Sequence, residues 1–400
     1  MKLTIVSETF PPEVNGVAMT FGHLARELGR RGHEVTVWRP RRDDLVNHSP
    51  PAEFAEVLVR GVPIPGYPLL RLGLPARGAF LRRWRAHRPD LVHVVTEGPL
   101  GASAIAAART LGVPVTSSFH TNFHRYTSHY GFGPLQKIAL AWLRRVHNRT
   151  LRTFAPTAEL CDELRGFGFR HLRVLSRGVD LTHFDPARRS DELRASWGAG
   201  PDDLVVIHVG RVAAEKNYPL LFRAFDAMRA ANARVRCVLA GEGPLKAQLA
   251  RDHPEHIFAG FFSREEIGRY YASADLYIHA SLTETFGNVL TEAMASGLAV
   301  AGFDYAAARQ FIQHGVNGLA VPCDDADALI AAGVQLATDA PLRNRLRARA
   351  RDALLAQSWD RVVGRFEADL LEVVREHPNS SRPGPRAAFV PRTAPSPTQR

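Results

Sequence analysis

The stretch Leu276-Tyr-Ile-His279-Ala-Ser281-Leu-Thr-Glu284-Thr-Phe286-Gly287-Asn288-Val289-Leu-Thr-Glu292-Ala-Met-Ala-Ser-Gly297 decides how the chain is read. Leu276–His279 has the apolar character of a short buried strand. Gly287 permits a tight turn from it into a helix, which runs through Met294 until Gly297 stops it. Glu284 then lies in the loop before a helix N-terminus, and Glu292 lies about two turns further along. The first backbone N–H groups, at Gly287, Asn288 and Val289, have no partner inside the helix and attract an anion. Acceptors for hydroxyls beside a cradle for phosphate point to a sugar nucleotide. The plainer alternative is an ordinary helix start whose acids complement the dipole, and either carboxylate alone fits it.

The same strand–loop–helix unit recurs on both sides of this stretch. Upstream, strand Leu3–Ser7 precedes an amphipathic helix near Val17–Arg30, followed by strands at Glu34–Trp38, Leu91–Val95, Val113–Phe119 and Thr153–Ala155. The pattern resumes with strand Leu204–Val209, a helix near Tyr218–Ala230, strand Arg234–Ala240 and a helix at Pro244–Ala250. Strands Ala299–Phe303 and Gly318–Val321 follow Leu276–His279. Such alternation predicts an α/β chain with parallel sheets covered by helices on both faces. Two such sheets place a cleft between them, lined by strand ends and helix N-termini.

Four hundred residues suffice for two ordinary domains. No run approaches the roughly 18 apolar residues needed to span a membrane, and the N-terminus begins at once with a strand instead of a secretory signal. Cys161, Cys237 and Cys323 are isolated, without metal-ligand spacing, which fits a reducing cytoplasm. The net charge of +11 is unevenly placed. Residues 1–180 hold 25 Lys and Arg against 14 Asp and Glu, whereas the remainder holds 26 of each. A basic first half suits an anionic membrane or a phosphate-bearing substrate. Nucleic acid ranks last, because no nucleic-acid-binding motif accompanies the charge.

Other loops carry chemistry of the same kind. Gly210-Arg211-Val-Ala-Ala-Glu215-Lys216-Asn217 ends strand Leu204–Val209 and delivers two cations onto one loop, suited to two phosphates. Either cation alone reads as a solvated, helix-capping charge. Thr9-Phe10-Pro-Pro-Glu-Val-Asn15-Gly16 joins the first strand to the first helix, and Gly16 lets a ligand approach the backbone. His120 ends another strand. A lone histidine there is more often a satisfied structural residue, and the spacing of His120, His124 and His129 does not suit zinc. Gly241-Glu242-Gly243-Pro244 reads as a turn shaping the cleft wall. Asp324, Asp325 and Asp327 are better explained as a helix cap before Ala328 than as a metal site.

The Glu284–Glu292 string resembles the donor-site signature of the group-1 retaining glycosyltransferases, whose fold is GT-B: two Rossmann-like domains facing each other across a cleft. The resemblance extends over residues 1 to about 376. It implies that Glu284 meets hydroxyls of the donor hexose and Glu292 the ribose, with Phe286, Gly287, Asn288 and Val289 beside them. Arg211 and Lys216 match the cations that neutralise the leaving diphosphate, and Gly16 matches a loop closing over the donor. His120 matches the histidine that contacts the transferred sugar, whereas His124 and His129 have no counterpart. His120, Arg211, Lys216 and Glu284 are therefore the expected catalytic set. Phe258–Glu265 resembles the loop facing the base, where recognition by backbone leaves uracil and guanine open. Ser176-Arg177-Gly178-Val179-Asp180 departs from the family pattern, which usually has Asn in place of Arg177; some lipid-directed members share the Arg.

The resemblance implies an acceptor-binding domain at 1–180 and a nucleotide-sugar-binding domain at 181–357. A helix at 358–376 is expected to cross back onto the first domain, ahead of a Pro-, Ser- and Arg-rich tail at 377–400, expected to be disordered. It also implies a hexosyltransferase that needs neither cofactor nor metal and takes GDP-mannose or a UDP-hexose as donor. The His120 segment looks closest to mannosyl- and sulfoquinovosyltransferases acting on lipids. A lipid or glycolipid acceptor at the inner face of the cell membrane is expected on that ground and on the basic first half. In the segment at 135–149, the apolar stripe of Leu135, Ile138, Ala139, Trp142 and Val146 reads first as a face packed on its own core. The alternatives are a transferase with a soluble acceptor, a GT-B-like epimerase or phosphorylase, and a sugar-binding protein. No pyridoxal lysine, no carboxylates placed for elimination and no export signal support the last three.

Overall fold

A computed structural model describes residues 1–13, 15–42, 52–64, 67–120, 133–260, 262–282, 284 and 286–377. His124, His129 and the tail beyond His377 lie outside the described residues. Seven parallel strands form the first sheet: β1 (Lys2–Val6), β2 (Glu34–Pro40), β3 (Ala55–Val59), β6 (Leu91–Val94), β7 (Val115–Ser118), β8 (Arg152–Ala155) and β9 (Leu172–Val174). Their order is β3-β2-β1-β6-β7-β8-β9, with β1 interior and paired to both β2 and β6. A hairpin, β4 (Gly61–Ile64) and β5 (Tyr67–Gly73), stands apart from it. Six parallel strands form the second sheet: β10 (Leu204–Val209), β11 (Val235–Ala240), β12 (Ile257–Gly260), β13 (Leu276–His279), β14 (Ala299–Phe303) and β15 (Leu319–Val321), ordered β12-β11-β10-β13-β14-β15.

Both sheets are covered on two faces, as the unbroken apolar runs of their central strands require. On one face of the second sheet the helix Tyr218–Ala231 presents Leu221, Phe225 and Met228. On the other, Asn288–Ala295 presents Leu290, Ala293 and Met294. The helix predicted at 244–250 begins at Lys246. Gly243 sits so close to the Val212 carbonyl oxygen that a Cβ there would approach it to 2.2 Å, so the backbone turns before it can coil. The terminal helix Trp359–Glu376 returns to the first sheet, burying Val362, Val363, Phe366, Leu370 and Val373 among Leu3, Ile5, Phe21 and Phe154.

The two halves meet at the C-terminal ends of their strands. Glu159 accepts from the Ala306 N–H at 3.2 Å and pairs with Arg309, while Gln310 Nε2 donates to Ser176 Oγ at 3.1 Å. The outward and returning crossings of the chain run side by side, with Val179 N–H donating to the Gln357 carbonyl at 3.0 Å.

Candidate functional site

Gly287 takes φ 95°, a left-handed conformation that favours glycine, and opens the helix Asn288–Ala295 without any side-chain cap. Glu284 lies just before it, and Lys216 Nζ hydrogen-bonds to its Oε1 from the loop after β10. Both side chains are mostly enclosed, at 17% and 15% exposure. Burial alone would raise the Glu284 carboxyl. The Lys216 ammonium, His279 and hydrogen bonds from Lys216 and Ser281 outweigh it and hold the group below its usual range, so Glu284 is ionised at neutral pH. Tyr305 hydroxyl braces the turn, donating to the Ser281 carbonyl at 2.6 Å and accepting from the Glu284 N–H at 3.3 Å. Arg211, on the Lys216 loop, is 63% exposed and pairs with Glu215. The glycine turn at 241–243 holds that loop, since Val212 N–H donates to the Glu242 carbonyl at 2.8 Å.

Glu292 lies on the same helix and accepts from the Tyr271 hydroxyl at 3.2 Å. Phe286 is buried beneath the turn. Across the cleft, Asn15 caps the helix Gly16–Arg30, accepting from Val17 N–H at 3.1 Å and Ala18 N–H at 2.9 Å. Gly16 is its first residue, so this helix start also points into the cleft.

His120 is not the satisfied structural histidine of the plainer reading. That description belongs to buried His93, which reaches Thr116 at 2.9 Å and Ser118 at 3.0 Å. Both ring nitrogens of His120 are buried without a hydrogen-bond partner among the described residues. Burial first, then Arg177, push its pKa well down, so the ring is neutral. The structure thus gathers Gly16 and His120 from one half and Lys216, Glu284, Gly287 and Asn288 from the other, with Arg177 between them. Arg177 was legible only as a departure from a pattern. Its Nη1 is 2.4 Å from where a Cβ on Gly16 would stand, 3.4 Å from Asn288 Oδ1, and its guanidinium lies 5.6 Å over Phe286.

Glu8, in the loop after β1, was also missed. Its carboxylate accepts from the Leu100 N–H at 3.0 Å and fills the space that a Cβ on Gly98 would need. Burial outweighs that hydrogen bond and pushes the carboxyl up to about 7. A raised folded pKa means that its contribution to stability is full below pH ~4.5 and is lost as pH rises to ~7. Glu8→Gln keeps a neutral acceptor at every pH. It is expected to stabilise the fold at pH 8 by about 1–3 kcal/mol and to leave it nearly unchanged at pH 4.5. Thermal melts of both proteins at the two pH values check this.

Among the described residues, one group, His253, Glu255 and His256, brings metal-ligating side chains together. It enters β12 at the end of the sheet opposite the cleft and touches none of the residues above.

Comparison with known proteins covers both halves of the chain. The family model for glycosyltransferase family 4 matches residues 14–183, and that for group 1 glycosyl transferases matches 189–353. A GDP-mannose-dependent alpha-mannosyltransferase of Mycolicibacterium smegmatis is 34% identical over 381 residues, covering 92% of this chain and 98% of the relative. The chain belongs to the group 1 glycosyltransferases. Alpha-monoglucosyldiacylglycerol synthase of Streptococcus pneumoniae is 26% identical, with 75% of this chain and 70% of that enzyme covered. In fold, the chain is similar to the Anabaena protein HepE in complex with UDP, with TM-score 0.74, 20% identity, and 93% and 100% of the two chains covered. This glycosyltransferase has the GT-B architecture that the resemblance implied, with the parallel sheets expected from its alternating pattern.

Proposed function

We propose that this glycosyltransferase moves a hexose, mannose in preference to glucose, from a nucleotide-diphosphate sugar to a lipid or glycolipid hydroxyl at an anionic membrane face. The observation that carries the reading is the ionised Glu284 carboxylate held by Lys216 beside an uncapped helix N-terminus. A carboxylate accepts from sugar hydroxyls, and the ammonium and backbone N–H groups receive a phosphate. Glu284 meets the hexose, Glu292 the ribose, and Lys216 and Arg211 the diphosphate. Negative charge growing on the leaving phosphate is stabilised by those cations and N–H groups without a divalent ion.

Configuration is retained by departure of the diphosphate and arrival of the acceptor on the same face. A leaving phosphate oxygen takes the acceptor proton, and neutral His120 stands by the transferred sugar. No pair of facing carboxylates is assigned the nucleophile and acid roles of a two-carboxylate glycosidase. The names of the mycobacterial and streptococcal relatives support mannose and a glycerolipid.

The membrane face is the helix Gly133–His147. Its apolar stripe does not pack wholly on the core as first expected. Leu143 and Val146 are buried, but Ile138 is 67% and Trp142 49% exposed, one turn apart and flanked by exposed Lys137, Arg144, Arg145 and Arg149. An exposed aromatic and aliphatic pair within a basic rim suits shallow insertion among anionic headgroups. None of the described helices is long and apolar enough to cross a membrane.

The test is nucleotide release from GDP-, UDP- and ADP-sugars, with and without membrane lipid and with and without EDTA, followed by NMR of the product's anomeric configuration. GDP-mannose with lipid is the expected pair, insensitive to chelation. Lipid-independent release would move the acceptor into solution, and no release or binding from any donor would overturn the reading. Replacing both Ile138 and Trp142 by Ser is expected to lower flotation with anionic vesicles about tenfold while leaving the melting temperature unchanged.

A further inference from the structure

Arg177 is an unusual group to bury. It is 8% exposed, and among the described residues its Nε has no hydrogen-bond partner and its guanidinium's one hydrogen bond is the long contact from Nη1 to Asn288 Oδ1. Among the described residues no carboxylate forms an ion pair with it. Glu284 is the acid that acts on it electrostatically, and Lys216 already occupies that acid. Burial accordingly draws the guanidinium down to about 10. A cation enclosed this way costs stability unless an anion meets it.

Its neighbours make the imbalance larger. Gly16 starts one helix and Asn288 starts another, each turning its positive end toward the same point. His120, on the far side, is neutral and supplies no counter-charge. Even the absence of a side chain at Gly16 is accounted for here, since Arg177 Nη1 occupies the place a Cβ would take. The uncapped helix start at Asn288, a fork of N–H donors and an aromatic floor at Phe286 form a receptor for a doubly charged, oxygen-rich anion.

We propose that Arg177 is a donor-binding residue: its guanidinium grips the diphosphate of the nucleotide sugar from the interdomain crossing, opposite the Arg211–Lys216 loop. This rests on the reading of the cleft as a nucleotide-sugar site. Arg177 then reports occupancy to both halves at once, because it touches the first helix of one and the anion-facing helix of the other. The cation is a third contact on the leaving group, and asparagine at this position supplies no charge. Donors held by this chain lean on the diphosphate more than those held by an Asn form.

Titration calorimetry distinguishes the outcomes. GDP, UDP, guanosine and uridine are each titrated into the full-length wild type and into Arg177→Ala, Arg177→Gln and Arg177→Lys. The nucleoside diphosphate that wild type prefers should bind about 10–100-fold more weakly to the Ala and Gln variants and by an intermediate amount to Lys. Its nucleoside should bind equally to all four, and melting temperatures of the Ala and Gln variants should not fall. Unchanged diphosphate affinity in Gln and Ala overturns the proposal while leaving the donor site intact. Equal losses for nucleoside and diphosphate, with a lowered melting temperature, assign Arg177 a structural role and also overturn it. A wild type that binds none of the four overturns the donor-site reading itself.

Discussion

Glu284→Gln is expected to lower turnover by about 10²–10³-fold with the preferred donor while the protein still binds the free nucleoside diphosphate. The substitution conserves shape and removes only charge. The carboxylate is kept ionised by Lys216 despite its burial, so under the proposed function it is a strong acceptor for the hydroxyls of the hexose. An amide offers one weaker acceptor and an N–H that points the wrong dipole at the sugar. Lys216, released from its partner, becomes freer to meet phosphate, so affinity for the nucleoside diphosphate should hold or rise. Activity and affinity therefore move in different directions, which a general loss of structure cannot produce. Release assays paired with calorimetry measure both, and turnover within threefold of wild type would remove Glu284 from the reaction. Because the folded pKa is depressed, ionisation of Glu284 survives throughout the neutral range and fails only below pH ~4.5.

Much of this site was legible because its chemistry lies on local strand–loop–helix units. Leu276–His279 and Ala299–Phe303 form strands at the residues that their apolar runs mark, and Gly287 takes the left-handed turn expected between strand and helix. Asp325 caps the helix Ala326–Thr338, accepting from the Ala328 N–H at 2.9 Å. The features that escaped depend on distant partners. Arg177 acquires its meaning from Gly16 and Asn288, 161 and 111 positions away. Glu8 looks like any surface acid until Gly98 and Leu100 enclose it. The hairpin strands β4 and β5 were passed over because Gly61, Pro63 and Gly73 weaken their apolar pattern. The stripe on Gly133–His147 failed as a core prediction for a related reason. Periodicity finds an apolar face, and only the fold decides which part of it is covered.

Phe366→Ala is expected to cost about 3–5 kcal/mol in urea denaturation. Phe366 is fully enclosed, with ring centroids of Phe154, His93 and Phe21 at 5.1, 5.2 and 6.4 Å. Those three come from β8, β6 and the first helix, so one ring from the C-terminal helix closes a core assembled by the first 155 residues. The surface pair that accompanies it cannot make up the loss. Arg31 with Glu367, at 2.8 Å, is partly solvated and contributes about 1 kcal/mol or less. Arg31→Ala should therefore destabilise far less than Phe366→Ala, although both residues join the same helix to the same domain. The consequence reaches the cleft through the paired crossings. A Cβ on Gly178 would stand 2.5 Å from the Trp359 ring, so a loosened helix shifts the crossing segment that carries Arg177. Phe366→Ala should accordingly raise the donor KM several-fold at temperatures where the protein remains folded. A variant that loses less than about 1 kcal/mol and keeps the wild-type KM would show that the helix is not part of the first domain's core.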